Sequence, residues 1–282
     1  MNRLRIKHST GFRYGGEVTA SYNEARMLPA SSEGQLVLFS NLDILPVSSQ
    51  HSYVDYWGTR VASFELLTPH KELTLTATSL VEVRPRVHEP HPIGWDELVD
   101  TVSATTETVE QLKQTRLTEP PVEVTELAHR IVARTTNPCD AALEICTAIG
   151  EAVEYRQGVT GVHTTASEAW AGRKGVCQDI AHLALGALRS AGIPARYVSG
   201  YLHPLPNAAI GQTVAGESHA WVEWYCGDGW RGFDPTNLID IGDRHVAVGY
   251  GRDYNDVAPL RGVYAGPYGS QLFVKVEITR EA

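Results

Sequence analysis

Hydrophobic and polar positions alternate through the first third of the chain and predict β-strands there. Short alternating or apolar runs lie at residues 4–6, 36–39, 54–56, 62–66, 73–77 and 81–83, with turn residues between them. Regular short strands that are joined by turns are typical of an antiparallel sandwich. We therefore predict a β-rich, sandwich-like N-terminal domain over residues 1–87, which packs against the rest of the chain.

The pattern after residue 87 changes to helical spacing and later returns to strands. A proline-rich stretch followed by glycine predicts that residues 88–120 hold a linker and a helical segment. Residues 122–132 and 140–153 have helical apolar spacing, and Asp140 suits the N-terminal end of a helix. Strands are expected at residues 195–202, 220–225, 230–233, 245–249 and 271–278.

The most strongly patterned helix follows a cysteine. Apolar residues recur at positions 180, 181, 184, 187, 188 and 191, and Gly192 and Pro194 end the helix. Cys177 therefore lies in the first turn, where unpaired N–H groups and the positive end of the helix dipole stabilise a thiolate. The helix is apolar almost all round and is expected to be buried, so Cys177 is either a reactive thiol or a small core residue. The helix alone does not decide between the two.

A histidine and an aspartate, His219 and Asp234, fall on the two arms of a predicted hairpin. A cysteine nucleophile needs a base, and the base needs a carboxylate or amide that fixes its tautomer. If the hairpin loop is centred between residues 226 and 227, His219 lies directly opposite Asp234, with Cβ atoms about 4.5–5.5 Å apart. A two-residue turn at 228–229 would set them too far apart along the strands, and a one-residue slip would put them on opposite faces. A catalytic function therefore predicts the looser loop.

Three sequence blocks resemble the core of the transglutaminase-like superfamily. In the order expected of that family, they are Gly-Val-Cys-Gln-Asp with its helix and Gly-Ile-Pro-Ala-Arg-Tyr-Val-Ser-Gly-Tyr, then Ser-His-Ala-Trp-Val-Glu-Trp, then Trp-Arg-Gly-Phe-Asp-Pro-Thr-Asn. The β-rich N-terminal region, with Asp-Tyr-Trp-Gly-Thr at 55–59, looks like the domain that accompanies this core in bacterial members. The resemblance implies an α+β protein with a catalytic core over residues 121–282. In this papain-like arrangement, the helix that carries the cysteine packs on an antiparallel sheet.

By this resemblance Cys177 is the nucleophile, His219 is the general base and acid, and Asp234 is the carboxylate that orients the histidine. The implied reaction is attack on an amide carbonyl, with release of an amine and formation of a thioester. We predict that water resolves the thioester, so that peptide, isopeptide or related amide bonds of a peptide or protein substrate are hydrolysed. A cross-linking transglutaminase is the alternative, ranked second because no amine-acceptor site or calcium-binding loop is visible. A non-catalytic peptide-binding module of the same fold is the other alternative.

Further residues are candidates for lining the site. The reaction needs an oxyanion hole, and the backbone N–H of the nucleophile is one candidate donor. Trp170 and Gln178 are candidates for lining the same site. The polar loop with Arg252, Asp253 and Tyr254 resembles a segment that bacterial members place after the core, and it either binds substrate or braces the sheet.

Composition narrows the class of protein and its partners. The 282 residues are 43% hydrophobic and 20% charged, as in ordinary globular proteins, and the formal net charge of −9 argues against nucleic acid or an anionic membrane as a partner. The N-terminus lacks an apolar signal core, and no run approaches the ~18 apolar residues of a membrane span, so we expect a cytoplasmic protein. Four cysteines do not form a disulfide framework in a chain this long, and Cys139 and Cys146 suit core packing. No metal-ligand motif is present, so we expect no metal and no cofactor, and the sequence does not indicate the oligomeric state.

Overall fold

The computed structural model describes residues 1–85, 93–225, 227 and 229–282, so the proline-rich stretch of the predicted linker lies mostly outside the described residues. The strands are β1 (Asn2–Val18), β2 (Ala20–Ala25), β3 (Gln35–Leu45), β4 (Gln50–Val54), β5 (Arg60–Leu66), β6 (His70–Val83), β7 (Glu154–Tyr155), β8 (Lys174–Gly175), β9 (Ala195–Leu202), β10 (Thr213–Gly216), β11 (Ser218–Tyr225), β12 (Trp230–Asp234), β13 (Ile239–Asp240), β14 (His245–Gly251), β15 (Leu260–Ala265) and β16 (Ser270–Arg280). The helices are α1 (Trp95–Ser103), α2 (Thr106–Glu110), α3 (Val122–Val132), α4 (Pro138–Ala152), α5 (Ala166–Gly172), α6 (Cys177–Ser190) and α7 (Tyr254–Val257). The predicted α+β class with antiparallel sheets is confirmed. None of the helices in these described ranges combines the length and the apolar character that crossing a bilayer requires.

The two sheets of the N-terminal region pack face to face, as the alternating pattern predicts. One sheet has the strand order β10-β16-β1-β6-β3, and the other has the order β15-β2-β5-β4. Alternate residues of β6 are buried, and Leu73 and Leu75 share one apolar cluster with Phe64 and Leu66 of β5. Burying each large apolar side chain contributes about 1.5–3 kcal/mol, so this cluster holds the two sheets together.

Strands from the end of the chain complete both sheets. β15 pairs with β2, β16 pairs with β1 along its whole length, and β10 extends the same sheet beyond β16. The segment that follows the central helix therefore contributes strands to the N-terminal sandwich as well as to its own sheet. This connection sets the sandwich directly against the rest of the chain.

Helix α6 lies at the centre of the second half of the molecule and is buried on all sides. It packs against α3, α4 and α5, and also against β9 and β11 of the sheet with strand order β13-β12-β11-β9-β14. Every residue from Gln178 to Arg189 is buried. The helix begins at Cys177 as predicted, and Gly192 follows its end with a φ of 77°, which suits glycine.

Gly186 of α6 permits a close approach of the backbone at Thr118. A Cβ at residue 186 would lie 2.2 Å from the Thr118 carbonyl oxygen, which cannot move aside without moving the chain. We expect Gly186→Ala to lower the free energy of unfolding by about 1–3 kcal/mol, although alanine is the better helix former by roughly 1 kcal/mol. Chemical denaturation measures this change. Gly172→Ala is the matched control, since no atom of the described residues lies within 4 Å of a Cβ there, and equal stabilities of the two variants would contradict the account.

Helix α4 differs from the prediction at its beginning. It starts at Pro138 rather than at Asp140, because the Asn137 side chain accepts a hydrogen bond from the Asp140 N–H and proline suits the first helical position. Cys146 is a buried free thiol, as expected. Cys139 is also buried, but it is disulfide-bonded, which the sequence analysis did not predict.

Candidate active site

The first turn of α6 is held in place by the side chain of Asp179. Its carboxylate accepts hydrogen bonds from the Val176 N–H (2.8 Å) and the Thr160 hydroxyl (2.6 Å). Gly175 permits this arrangement, since a Cβ there would lie 2.7 Å from the Asp179 Cβ. Cys177 is a free, half-buried thiol at the first helical position, where unpaired backbone N–H groups can stabilise a thiolate.

Cys177 lines a groove of about 740 Å³ between the N-terminal sandwich and the rest of the chain, which we call the Cys177 groove. Tyr155, Gln178, His219 and Tyr254 line it on the side of α6. Residues of β1, β10 and β16 line the opposite side. The sandwich therefore forms one wall of the space in front of the cysteine.

β11 and β12 carry His219 and Asp234, but their register differs from the predicted one. Val222 pairs with Phe233, so the register is shifted by two residues from the one that would set His219 directly opposite Asp234. The predicted direct opposition is therefore wrong. Because the shift is two residues and not one, both side chains still point to the same face of the sheet. They meet diagonally, with His219 Nε2 2.7 Å from Asp234 Oδ2.

The Asp234 carboxylate is buried and accepts hydrogen bonds on both oxygens. Oδ1 accepts from the backbone N–H groups of Thr236 (3.0 Å) and Asn237 (3.2 Å). Oδ2 accepts from His219 Nε2 (2.7 Å), the Asn237 side chain (2.7 Å) and His245 Nε2 (3.4 Å). Burial raises the pKa of Asp234, but the hydrogen bonds, above all the one from His219, hold that pKa well below its usual range. Asp234 is therefore ionised at neutral pH and orients His219.

The His219 ring lies between Asp234 and Cys177. Its Nε2 is bonded to Asp234, so Nδ1 is the ring nitrogen that remains to interact with Cys177. Burial lowers the pKa of His219, but the hydrogen bonds with Asp234 and Cys177 outweigh burial and raise that pKa to about 10. The site therefore favours an imidazolium beside the sulfur, which is the charge state that activates a cysteine.

The raised pKa of His219 predicts a pH dependence of stability. A histidine in the unfolded chain has a pKa near 6.5, whereas that of His219 in the folded chain is about 10. The contribution of this shift to the free energy of unfolding is complete below about pH 6.5. It is lost as the pH rises toward 10. We expect His219→Gln to lack this contribution, so its deficit in free energy of unfolding shrinks between pH 6 and pH 10. Urea unfolding at both pH values measures the deficit, and a deficit that stays constant or grows with pH would contradict the prediction.

His245 is a functional candidate that the sequence analysis did not single out. It begins β14, is 3% exposed, and its Nδ1 accepts a hydrogen bond from the Gly242 N–H (3.2 Å). Because a backbone N–H only donates, the proton of the neutral ring lies on Nε2 and is donated to Asp234. Burial lowers the pKa of His245 more than Asp234 raises it, so the ring stays neutral. No motif surrounds His245 in the sequence, and only its position across the sheet from Asp234 identifies it.

Three side chains of this site could also ligate a metal. The ligand atoms of His219, Asp234 and His245 lie within 4.8 Å of one another. A histidine nitrogen binds metal only without its proton, and the hydrogen bonds above use both Nε2 protons on Asp234. The arrangement therefore fits a carboxylate that accepts hydrogen bonds from two histidines better than it fits a metal site.

We expect His245→Leu to slow alkylation of Cys177 by iodoacetamide about 10-fold at neutral pH, as loss of a residue that orients a functional side chain commonly does. The leucine leaves Asp234 without the donor that helps to fix the plane of its carboxylate toward His219. His245→Gln is the matched control, because its amide can donate to the same oxygen. Mass spectrometry of the alkylated peptide between pH 5 and pH 9 gives the rates. Equal rates for the two variants would show that His245 only fills space.

Of the five other predicted site residues, two line the groove and three are not among the described residues that line it. Gln178 lines it and donates a hydrogen bond to the Val162 carbonyl (3.2 Å), and Tyr254 lines it from α7. Trp170 is buried in α5, with the Arg173 guanidinium 3.6 Å from the centre of its ring. Within the described residues, Trp170 is not part of the groove lining.

Arg252 and Asp253 make bracing contacts away from the groove. The Arg252 guanidinium pairs with Asp256 (3.0 Å), and the Asp253 side chain accepts from the Asn255 N–H (2.7 Å) at the start of α7. The buried Arg189 guanidinium donates to the Arg252 carbonyl (2.7 Å). These contacts fix the loop that carries α7 onto the end of α6.

Comparison with known proteins matches both halves of the chain. The sequence pattern of the transglutaminase-like superfamily matches residues 125–235, and that of the bacterial transglutaminase-like N-terminal region matches residues 4–82. An uncharacterised protein of Mycobacterium leprae is 43% identical over 282 residues, which is 100% of each chain. An uncharacterised protein of Mycobacterium tuberculosis is 32% identical over 98% of this chain and 92% of its own length.

Two further matches are with proteins of a named type. A protein-glutamine gamma-glutamyltransferase of Pseudomonas aeruginosa is 42% identical over 72 residues, which is 24% of this chain and 10% of that protein. The crystal structure of a proposed cysteine protease from Cytophaga hutchinsonii has a TM-score of 0.79 and 23% sequence identity, over 100% of this chain and 91% of that one. At this identity the structural likeness bears on the fold alone.

Proposed function

This chain belongs to the transglutaminase-like superfamily, and from that premise we propose that it is a cysteine-dependent acyl-transfer enzyme that hydrolyses peptide, isopeptide or related amide bonds. The observation that carries the proposal is the position of the His219 imidazole between Asp234 and Cys177. Its Nε2 lies 2.7 Å from Asp234 Oδ2, and its interactions with Asp234 and Cys177 raise its pKa. A cysteine at a helix N-terminus beside an imidazolium is the arrangement that activates a sulfur nucleophile.

The proposed reaction proceeds through a thioester on Cys177. The sulfur attacks the amide carbonyl carbon, and the backbone N–H of Cys177 donates to the developing oxyanion. His219 gives its Nδ1 proton to the leaving nitrogen, so the C–N bond breaks and an amine departs. The neutral His219 then takes a proton from water as that water attacks the thioester, and the acid is released. Asp234 stays ionised and holds Nε2 throughout.

Transamidation is the second candidate. It is favoured by the 72-residue match with the gamma-glutamyltransferase of Pseudomonas aeruginosa. The same thioester would form, and an amine rather than water would resolve it. The two candidates therefore share the same three residues and differ only in the second nucleophile.

The test compares wild type with Cys177→Ala on peptides from a digested cell lysate, with and without the primary amine monodansylcadaverine. New peptide termini that only the wild type produces support hydrolysis. Incorporation of the amine at glutamine, again by the wild type only, supports transamidation. If mass spectrometry finds no product specific to the wild type, both reactions are contradicted and a non-catalytic binding module is favoured.

A further inference from the structure

Strand β16 has an open edge inside the Cys177 groove. β10 pairs with β16 only between Gly216, opposite Val276, and Thr213, opposite Thr279. Before Val276, no strand of the described ranges pairs with this side of β16, whereas β1 pairs with its other side from Ser270 onward. The chain leaves the sheet after Gly216 and enters β11, which carries His219. The open edge therefore begins where the backbone turns toward the candidate catalytic residues.

The backbone groups of this edge face the same side of β16 as β10 does. Arg280 faces β10, since its N–H donates to the Gln212 carbonyl (3.3 Å) and its carbonyl accepts from the Gly211 N–H (2.7 Å). The pairing of β16 with β1 has no bulge between residues 270 and 280, and successive residues of a strand face opposite sides. Leu272 and Val274 therefore direct their N–H and C=O groups to the same side as Arg280.

An independent contact on the other side of the strand agrees with this assignment. The carbonyl of Phe273 accepts a hydrogen bond from the Thr10 hydroxyl of β1 (2.9 Å), so the odd-numbered residue faces β1. The unpaired donors and acceptors of Leu272 and Val274 thus lie on the edge that faces away from β1. An unpaired edge of this kind is a template for pairing with another chain.

The side chains along this edge change from buried to exposed where β10 ends. Val276 and Ile278 are 3% and 1% exposed, whereas Leu272 and Val274, on the same face, are 50% and 53% exposed. Leu272 and Val274 line the Cys177 groove. The open edge therefore offers an apolar surface together with a row of backbone hydrogen-bonding groups.

We propose that the substrate of the Cys177 site is an extended polypeptide segment that adds to β16 as a further strand at Leu272 and Val274, continuing the line of β10. This inference rests on the proposed function and adds the substrate class and its mode of binding. Main-chain hydrogen bonds to the edge supply affinity for any extended sequence, and the apolar side chains favour apolar residues at alternate positions. A segment already folded into a helix cannot pair in this way, so the substrate is an unfolded region or a flexible tail.

The test measures covalent labelling of Cys177 by a series of acetylated alanine peptides of one to four residues that end in a chloromethyl ketone. In this reaction the cysteine sulfur bonds to the methylene carbon and chloride leaves. We expect the second-order rate constant to rise at least 10-fold from the shortest probe to the longest. Equal rates along the series would overturn the proposal.

Proline substitutions locate the binding edge. Leu272→Pro removes one N–H from the groove side of the strand, a position at which an edge strand tolerates proline. This variant is expected to abolish the increase of the labelling rate constant with probe length. Ser270→Pro is the matched control, because Ser270 faces the same side but is not among the described residues that line the groove. This variant should keep the increase of the rate constant with probe length. Equal gains in the two variants would overturn the proposal.

Modified probes give the same test without altering the protein. The backbone nitrogens of the four-residue probe form two alternating sets. Methylation of one set should abolish the rate advantage of this probe over the shortest one, and methylation of the other set should keep that advantage. Equal effects of the two sets would overturn strand pairing. The proposed function fails separately, when even the shortest probe labels Cys177 no faster than it labels Cys146.

Discussion

Replacement of Cys177 by serine is expected to lower amide-bond cleavage by at least about 10³-fold. The hydroxyl occupies nearly the same space as the thiol, so the first turn of α6 keeps its packing. A serine hydroxyl does not give up its proton to His219 at neutral pH, so the proposed sulfur nucleophile is lost and not replaced. Because Cys177 is half-buried at the edge of the groove, the change in free energy of unfolding should stay within about 0.5 kcal/mol.

Cleavage rates on peptides that the wild type processes, together with thermal unfolding, check this expectation. Cys177→Ala is the matched variant and should have the same residual rate as Cys177→Ser. A serine variant that keeps more than about a tenth of the wild-type rate would contradict a role of this sulfur in the rate-determining chemistry.

Asp234→Asn is expected to lower the same rate by about 10²–10⁴-fold, because it changes the tautomer of His219. The backbone N–H groups of Thr236 and Asn237 require an oxygen acceptor, so the new amide keeps its oxygen toward them. Its NH₂ group then faces His219 Nε2, which must accept rather than donate. The ring proton moves to Nδ1, and His219 can no longer take a proton from Cys177.

Iodoacetamide labelling and cleavage rates measure the effect of Asp234→Asn. Asn237→Ala is the matched control, since it removes a neighbouring donor to Oδ2 and leaves the carboxylate charge in place. We expect the control to lose only about 10-fold, as for other residues that orient a functional side chain. Losses of equal size in the two variants would show that the charge of Asp234 is not what matters.

The sequence predicts those parts of the site that local patterns determine. The apolar repeat, Gly192 and Pro194 define α6, and the position of Cys177 at its first turn follows from them. Gly175 belongs to the same local pattern, because only glycine leaves room for the Asp179 side chain. Sandwich strands such as β6 also follow from alternation, since β6 buries alternate residues on one face.

The register of the hairpin could not be predicted from the same pattern. Alternation fixes which face His219 and Asp234 share, but it is unchanged by a shift of two residues. The structure has such a shift, and the two side chains are long enough to meet across the diagonal, with His219 Nε2 2.7 Å from Asp234 Oδ2. The face was therefore predictable and the pairing was not.

Contacts between segments that are distant in the chain could not be predicted from the sequence either. His245 reaches Asp234 only because β14 and β12 join one sheet, and β16 borders the groove only because it pairs with β1. The disulfide at Cys139 likewise depends on a contact that no spacing reveals. A cytoplasmic location stays a prediction, and structural disulfides are uncommon in that compartment.

The central claim is that Cys177 reacts as a thiolate held beside a protonated His219. Its most direct test is the rate of iodoacetamide alkylation of Cys177 between pH 5 and pH 9, measured by mass spectrometry in the wild type and in His219→Ala. The internal reference is Cys146, whose thiol has a pKa raised by complete burial. We predict that at pH 6 wild-type Cys177 reacts at least about 10-fold faster than in His219→Ala, and that its rate changes little up to pH 8. A rate that rises about tenfold per pH unit over this range, as for an unpaired thiol, and that His219→Ala leaves unchanged would contradict the account.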